Sequence, residues 1–201
     1  MKYAQIILLS ILAACTYGVI HDQITVRVCI EYFTVAHPPL FHTTSPTLLA
    51  LCWGAAATAG IGAVVGVLLA LVSRAGAPAW YPLFRIRQSV LLLLGVMAAS
   101  AFIAGVVGYE LSQRGFVSIP LGLARAIPTD HHHRFMAVWF AHGASYLVGL
   151  TGSALVCFQI WRARGRPSVI SLLPQTRAAA IRSALIAVAV LLLIWFRLHV
   201  H

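Results

Sequence analysis

Five stretches of this chain stay apolar for about 20 residues or more, near 3–22, 47–72, 89–111, 135–161 and 180–199. That is the length a helix needs to cross ~30 Å of hydrocarbon. Lipid offers the backbone no hydrogen bonds, so such runs must be helices or strands of a closed barrel. They are rich in Ala, Leu, Val and Gly and lack the period-two alternation of barrel strands. The predicted fold class is therefore all-α: a polytopic transmembrane helix bundle of about five spans, with residues 1–201 forming one membrane-embedded domain. A composition that is 61% hydrophobic and 9% charged has no place in a soluble fold.

Local signals punctuate the runs. Ser45-Pro46 suits a helix start, with proline at the first helical position, where its missing N–H costs nothing. Gly76-Ala77-Pro78 and Gly165-Arg166-Pro167 break the chain after the second and fourth spans. Ala56, Gly60, Gly62 and Gly66 give the second span a small-residue face for close packing. Lys2 followed by an apolar run ending Leu12-Ala13-Ala14-Cys15 also fits a lipoprotein signal, with Cys15 as acceptor. The apolar character continues through Val19-Ile20, which favours a retained first span, and processing at Cys15 stays an open alternative. Cys15, Cys29, Cys52 and Cys157 show no CxxC spacing and read as unpaired packing residues.

A formal charge of +10 would suit nucleic acid, but the single lysine and the thirteen arginines lie mostly in short segments between apolar runs. That is a topology signal, and nucleic acid is not an expected partner. Arg74, Arg85 and Arg87 in one loop and Arg162, Arg164, Arg166, Arg177 and Arg182 in another share a side with Lys2. That side is predicted to be cytoplasmic, with the loops at 23–46 and 112–134 and the C-terminus extracytoplasmic. Asp22, Glu31, Glu110 and Asp130 then fall on the outer side, with His21, His37, His42, His131, His132, His133, His142, His199 and His201. Arginine bias explains the acidic residues but says nothing about histidine.

Two groups carry candidate chemistry. His21, Asp22, Glu31 and His37 place two imidazoles and two carboxylates within 17 positions at the mouth of the first span. These are nitrogen and oxygen ligands of the kind that hold Zn, Fe or Mn, though in no standard zinc spacing. The competing reading makes them interfacial polar residues, with Tyr32 and Phe33 as membrane-surface anchors. His142 lies about two turns inside the fourth span, where an unpartnered ionisable group is costly. Ser145, Tyr146 and Gly149 share its helix face. The alternative is a core histidine hydrogen-bonded to a neighbouring helix. The run Asp130-His131-His132-His133 reads as polar surface or as a contributor to the same site, and Glu110 is a further carboxylate at that depth. No lysine lies in a span for a Schiff base, and no P-loop, GxSxG or HExxH motif is present.

The strings His21-Asp22-Gln23, Glu31-Tyr32-Phe33-Thr34, His37-Pro38 and Ala141-His142-Gly143-Ala144-Ser145-Tyr146 together resemble an uncharacterised family of small bacterial polytopic inner-membrane proteins. The likeness covers most of the chain. It implies a bacterial inner-membrane setting, with no particular chemistry.

Three functional expectations follow. The first is a membrane metalloprotein, an enzyme acting at the outer face on a lipid or other apolar substrate. Its ligands would be His21, Asp22, Glu31, His37 and His142, with Glu31 and His142 as catalytic groups and Tyr146 or Gln23 orienting the histidines. The second is a b-type haem protein with His21 and His142 as axial ligands. The third is a non-enzymatic accessory or ion-handling subunit. Expected partners are membrane lipids, with a homo-oligomer or a larger membrane complex left open. The orientation is testable: single cysteines placed in the 23–46 and 112–134 loops, in a chain without native cysteines, should react with an impermeant reagent from outside the cell. Reaction from outside in the 162–182 loop instead would invert the topology.

Overall fold

A computed structural model describes residues 2–74 and 81–164, and among these all regular structure is helical. Four long helices, α1 (Lys2–Val28), α3 (Pro46–Arg74), α4 (Leu83–Gln113) and α6 (His132–Ala163), are joined through two single-turn helices, α2 (Glu31–Thr34) and α5 (Leu121–Ala124). A 3₁₀ turn over Thr129–His131 leads into α6. Each long helix is apolar and long enough to cross a bilayer. This is a multi-pass membrane helical bundle. The expected fifth span near 180–199, with His199 and His201, lies outside the described residues.

The spans are longer than the apolar runs suggest. The first helix continues through His21-Asp22-Gln23 to Val28 rather than ending near residue 22. Nothing in that segment breaks a helix, and its polar side chains find helical partners: Thr25 Oγ1 donates to the His21 carbonyl at 3.1 Å. Arg27 closes the last turn, donating to Gln23 Oε1 at 2.6 Å and to Thr47 Oγ1 at 3.1 Å. Gln23 Nε2 donates to the Thr47 carbonyl at 3.2 Å, tying the end of α1 to the start of α3. Gln23 is thus a helix-end link. α3 starts at Pro46, as Ser45-Pro46 predicts, and the Ser45 carbonyl accepts the Leu49 N–H at 2.9 Å. At the end of α4, Gly115 takes φ +75, a conformation that favours glycine, while Phe116 N reaches back to the Leu111 carbonyl at 2.9 Å.

Antiparallel neighbours α1 and α3 pack backbone to backbone. A Cβ on Gly54 would lie 2.6 Å from Val19 N, and one on Gly66 would lie 2.8 Å from Ile7 Cα. Gly62 faces Ile11 Cα in the same way, at 2.9 Å. Of the small-residue face expected here, Gly62 and Gly66 serve the contact and Gly60 faces open space; the tightest point is where Gly54, outside the expected set, meets Gly18 of α1, where an added Cβ would lie 2.4 Å from the Gly54 carbonyl oxygen. α4 and α6 pair similarly where Gly108 meets Met136 and Phe140. Ile6, Leu69, Ile86 and Ile160 knit all four helices at the end away from the histidines. At the other end gather the four acidic residues and the seven described histidines.

The seam predicts a contrast between two glycines. Gly54→Ala must push α1 from α3 against backbone that cannot yield, costing about 1–3 kcal/mol. Gly60→Ala meets nothing within 4 Å and should be neutral or stabilising by up to ~1 kcal/mol. Thermal unfolding of the two variants in detergent measures the difference; equal melting temperatures would contradict a tight seam.

Candidate metal centre

Because α1 runs unbroken past residue 22, His21 and Asp22 sit two turns below its end, facing α6. His142, more than two turns into α6, faces back. Asp22 and His142 are each 6% exposed, and His142 Nε2 stands 3.2 Å from Asp22 Oδ1. The imidazole is oriented from behind, with Nδ1 3.0 Å from the Val138 carbonyl. A carbonyl only accepts, so Nδ1 carries the proton and Nε2 is the free position facing the carboxylate. Two bare acceptors cannot sit at 3.2 Å unless a proton or a cation lies between them. The third member is His21, whose ring meets that of His142 edge-on with centroids 4.5 Å apart. Its Nε2 is buried and has no hydrogen-bond partner among the described residues.

One ligand atom from each of His21, Asp22 and His142 lies within 4.8 Å of the others. Ligands held at ~2.0–2.2 Å from one ion are separated by roughly 3–4 Å, so this spacing needs only small side-chain adjustment. Two imidazoles and one carboxylate are a donor set used for zinc and for non-haem iron, and three protein ligands leave positions open.

Aromatic groups enclose the cluster. Tyr17 stacks on His21 with ring centroids 5.7 Å apart, and its hydroxyl is 2.8 Å from Ser145 Oγ. Tyr32 and Phe33 of α2 lie over His142, with centroids at 4.5 and 5.8 Å. Phe33 is buried, so these two rings cap the cluster and are not membrane-surface anchors. Burial, with Tyr146 and Asp22 nearby, pushes the Tyr32 phenol above its usual range. It stays neutral at physiological pH.

The structure places Glu31 and His37 elsewhere. Glu31 turns away from the triad and accepts from His131 Nδ1 at 2.8 Å and from the Cys29 thiol at 3.2 Å. Burial works to raise its carboxyl, but hydrogen bonds from its own backbone, Cys29 and His131 outweigh that and hold it below the ordinary carboxylate value. Burial first, then the Glu31 carboxylate, pushes the Cys29 thiol up to about 12, so it is a hydrogen-bond donor and not a thiolate nucleophile. Glu31 thus docks the cap onto the start of α6. His37 Nδ1 lies 2.7 Å from the Tyr32 carbonyl, and its ring packs on Trp53 with centroids 4.6 Å apart, which braces the same cap. Within the histidine run, His132 meets the Ile127 carbonyl and His133 meets Ser112 Oγ. Glu110 pairs with Arg114 at 3.6 Å on the surface. The sequence groups Glu31 and His37 with His21 because they are near in the chain; the turn at Cys29-Ile30 redirects them. Tyr17 was not singled out from sequence, although it lies one helical turn before His21.

Below the triad the two helix pairs leave a chamber of about 340 Å³. Its upper end holds His21, Asp22, His142, Tyr17 and Ser145, and its far end Leu69, Val90 and Val156. Comparison with protein-family models, curated proteins and solved structures finds no match to this chain.

Proposed function

We propose that this protein is a membrane-embedded metalloprotein in which His21, Asp22 and His142 hold one divalent ion, Zn, Fe or Mn, and that it acts as an enzyme on a lipid or other apolar substrate. The observation that carries the reading is the unpartnered, buried His21 Nε2 beside a His142–Asp22 pair. A proton shared between His142 and Asp22 would satisfy those two and leave His21 unsatisfied, at a cost of about 1–3 kcal/mol. A cation satisfies all three. The ion would supply a Lewis acid and lower the pKa of a water in an open position. The protein's own groups do the rest: Val138 fixes the His142 tautomer, the Tyr17–Ser145 pair lines the approach, and the Tyr32–Phe33 cap excludes bulk water. The arginine bias supports an inner-membrane setting with the triad on the outer side.

A second reading, an ion-handling subunit built on a protonated His142–Asp22 pair, is favoured by their 3.2 Å contact. Haem b with His21 and His142 as axial ligands finds no support in the geometry. Rings in edge contact at 4.5 Å leave no slot for a macrocycle between them.

Elemental analysis of the purified protein, loaded in turn with Zn²⁺, Fe²⁺ and Mn²⁺, discriminates. About one equivalent per chain is expected for at least one metal. Asp22→Asn and His142→Ala should each lower retention at least 10-fold while keeping the wild-type elution volume and helical circular dichroism. Wild-type protein that retains none of the three metals would overturn the metal reading in favour of the ion pair.

A further inference from the structure

The chamber under the triad has a shape, and the shape selects a ligand. From His21 to Ser10 on α1 is 11 residues, and from His142 to Val156 on α6 is 14, so the residues lining the chamber extend along ~17–21 Å. Its volume is about 340 Å³, and below the triad its lining is mostly apolar. A space of that length and volume, with that lining, suits one unbranched hydrocarbon chain. At ~1.3 Å advanced per C–C bond of ~1.5 Å, its length holds roughly 13–16 carbons.

Polarity grades along it in the same sense. The hydroxyls of Tyr17, Ser145, Tyr146 and Thr58 cluster near the triad; beyond them the lining holds no charged side chain, and its hydroxyls are those of Ser153 and Ser10. The one polar side chain at the far end of α1, Ser10, is turned back on its own helix, donating to the Ile6 carbonyl at 3.0 Å.

Depth agrees as well. Helices of 27–32 residues are ~40–48 Å long and overhang a ~30 Å hydrocarbon core by ~5–9 Å at each end when centred. His21 lies seven residues from the end of α1 and His142 ten from the start of α6, or ~10–15 Å below the helix ends. Taken helix by helix, the triad therefore sits roughly 5–6 Å inside the hydrocarbon boundary. That is just below the headgroups, level with the first carbons of a lipid's chain.

Resting on the metal-site reading, we infer that the chamber binds one unbranched acyl chain of about 16 carbons, its oxygenated end at His21, Asp22 and His142 and its methyl end near Leu69, Val90 and Val156. The chain lies along the bundle axis, within the membrane-spanning part of the bundle.

Photo-crosslinking tests this on the full chain in nanodiscs. Palmitic acid carrying a diazirine at its methyl end should label peptides containing Val65, Leu69, Val90 or Val156. A diazirine beside the carboxyl group should label those containing Tyr17 or Ser145. Unlabelled palmitate should compete at least 10-fold better than octanoate. Ser153→Phe, and independently Val65→Phe on the facing helix, should cut methyl-end labelling at least 5-fold while metal content and melting temperature hold. Asp22→Asn should lose metal yet keep methyl-end labelling, which separates failure of the chain site from failure of the metal site. Phosphatidylcholine with the same diazirine in one acyl chain identifies the source: its labelling assigns a phospholipid chain, and labelling by the free acid alone assigns a fatty acid. Labelling confined to lipid-facing residues such as Leu8, Leu68 and Leu155, unchanged by Ser153→Phe and Val65→Phe, would overturn the inference.

Discussion

A carboxylate placed two turns inside a membrane helix must be answered by another polar group, and here Asp22 is answered by His142 from a helix 120 residues further along the chain. Leaving either alone in hydrocarbon would cost several kcal/mol. That cost fixes the rotation of α1 about its axis and the depth of α6 relative to it. The glycine seam between α1 and α3 and the Gly108 contact between α4 and α6 build two stiff pairs. The polar pair, with Tyr17–Ser145 below it and the Glu31–His131 contact above it, fastens one helix pair to the other at the histidine end. Between those fastenings and the Ile6–Leu69–Ile86–Ile160 cluster the pairs stand apart, and the chamber is the space left between them.

The membrane fold was plainly legible, since apolar runs of that length have one physical meaning. The helix ends were not. His21-Asp22-Gln23 looks like the start of a loop because polar residues usually are, yet a helix tolerates them when their side chains point inward. The same cost argument located His142 correctly on an inward face and anticipated a polar partner across the bundle. It failed for Glu31 and His37, because nearness in sequence says nothing about direction once a turn intervenes. Glu31 is served by His131 and Cys29, and His37 by Trp53 and the Tyr32 carbonyl; both shape the cap above the triad. Small residues show a similar limit. Gly54, Gly60, Gly62 and Gly66 look alike in sequence, and only the rotation set by the packed partner distinguishes Gly54 from Gly60.

The cap, the triad and the chamber form one sequence along the bundle axis, from wet to apolar. Polar side chains on α1 supply ligands, the turn at Cys29-Ile30 folds Tyr32 and Phe33 back over them, and the glycine contacts within each helix pair hold the two walls of the space beneath.

The central claim is that His21, Asp22 and His142 converge on one ion. X-ray absorption at the metal edge of the loaded, purified protein measures it most directly. The account predicts nitrogen and oxygen scatterers at ~2.0–2.2 Å, outer-shell scattering from two imidazoles, and loss of one imidazole in His21→Ala. A sulfur shell at ~2.3 Å, or an imidazole count unchanged by His21→Ala, would contradict it.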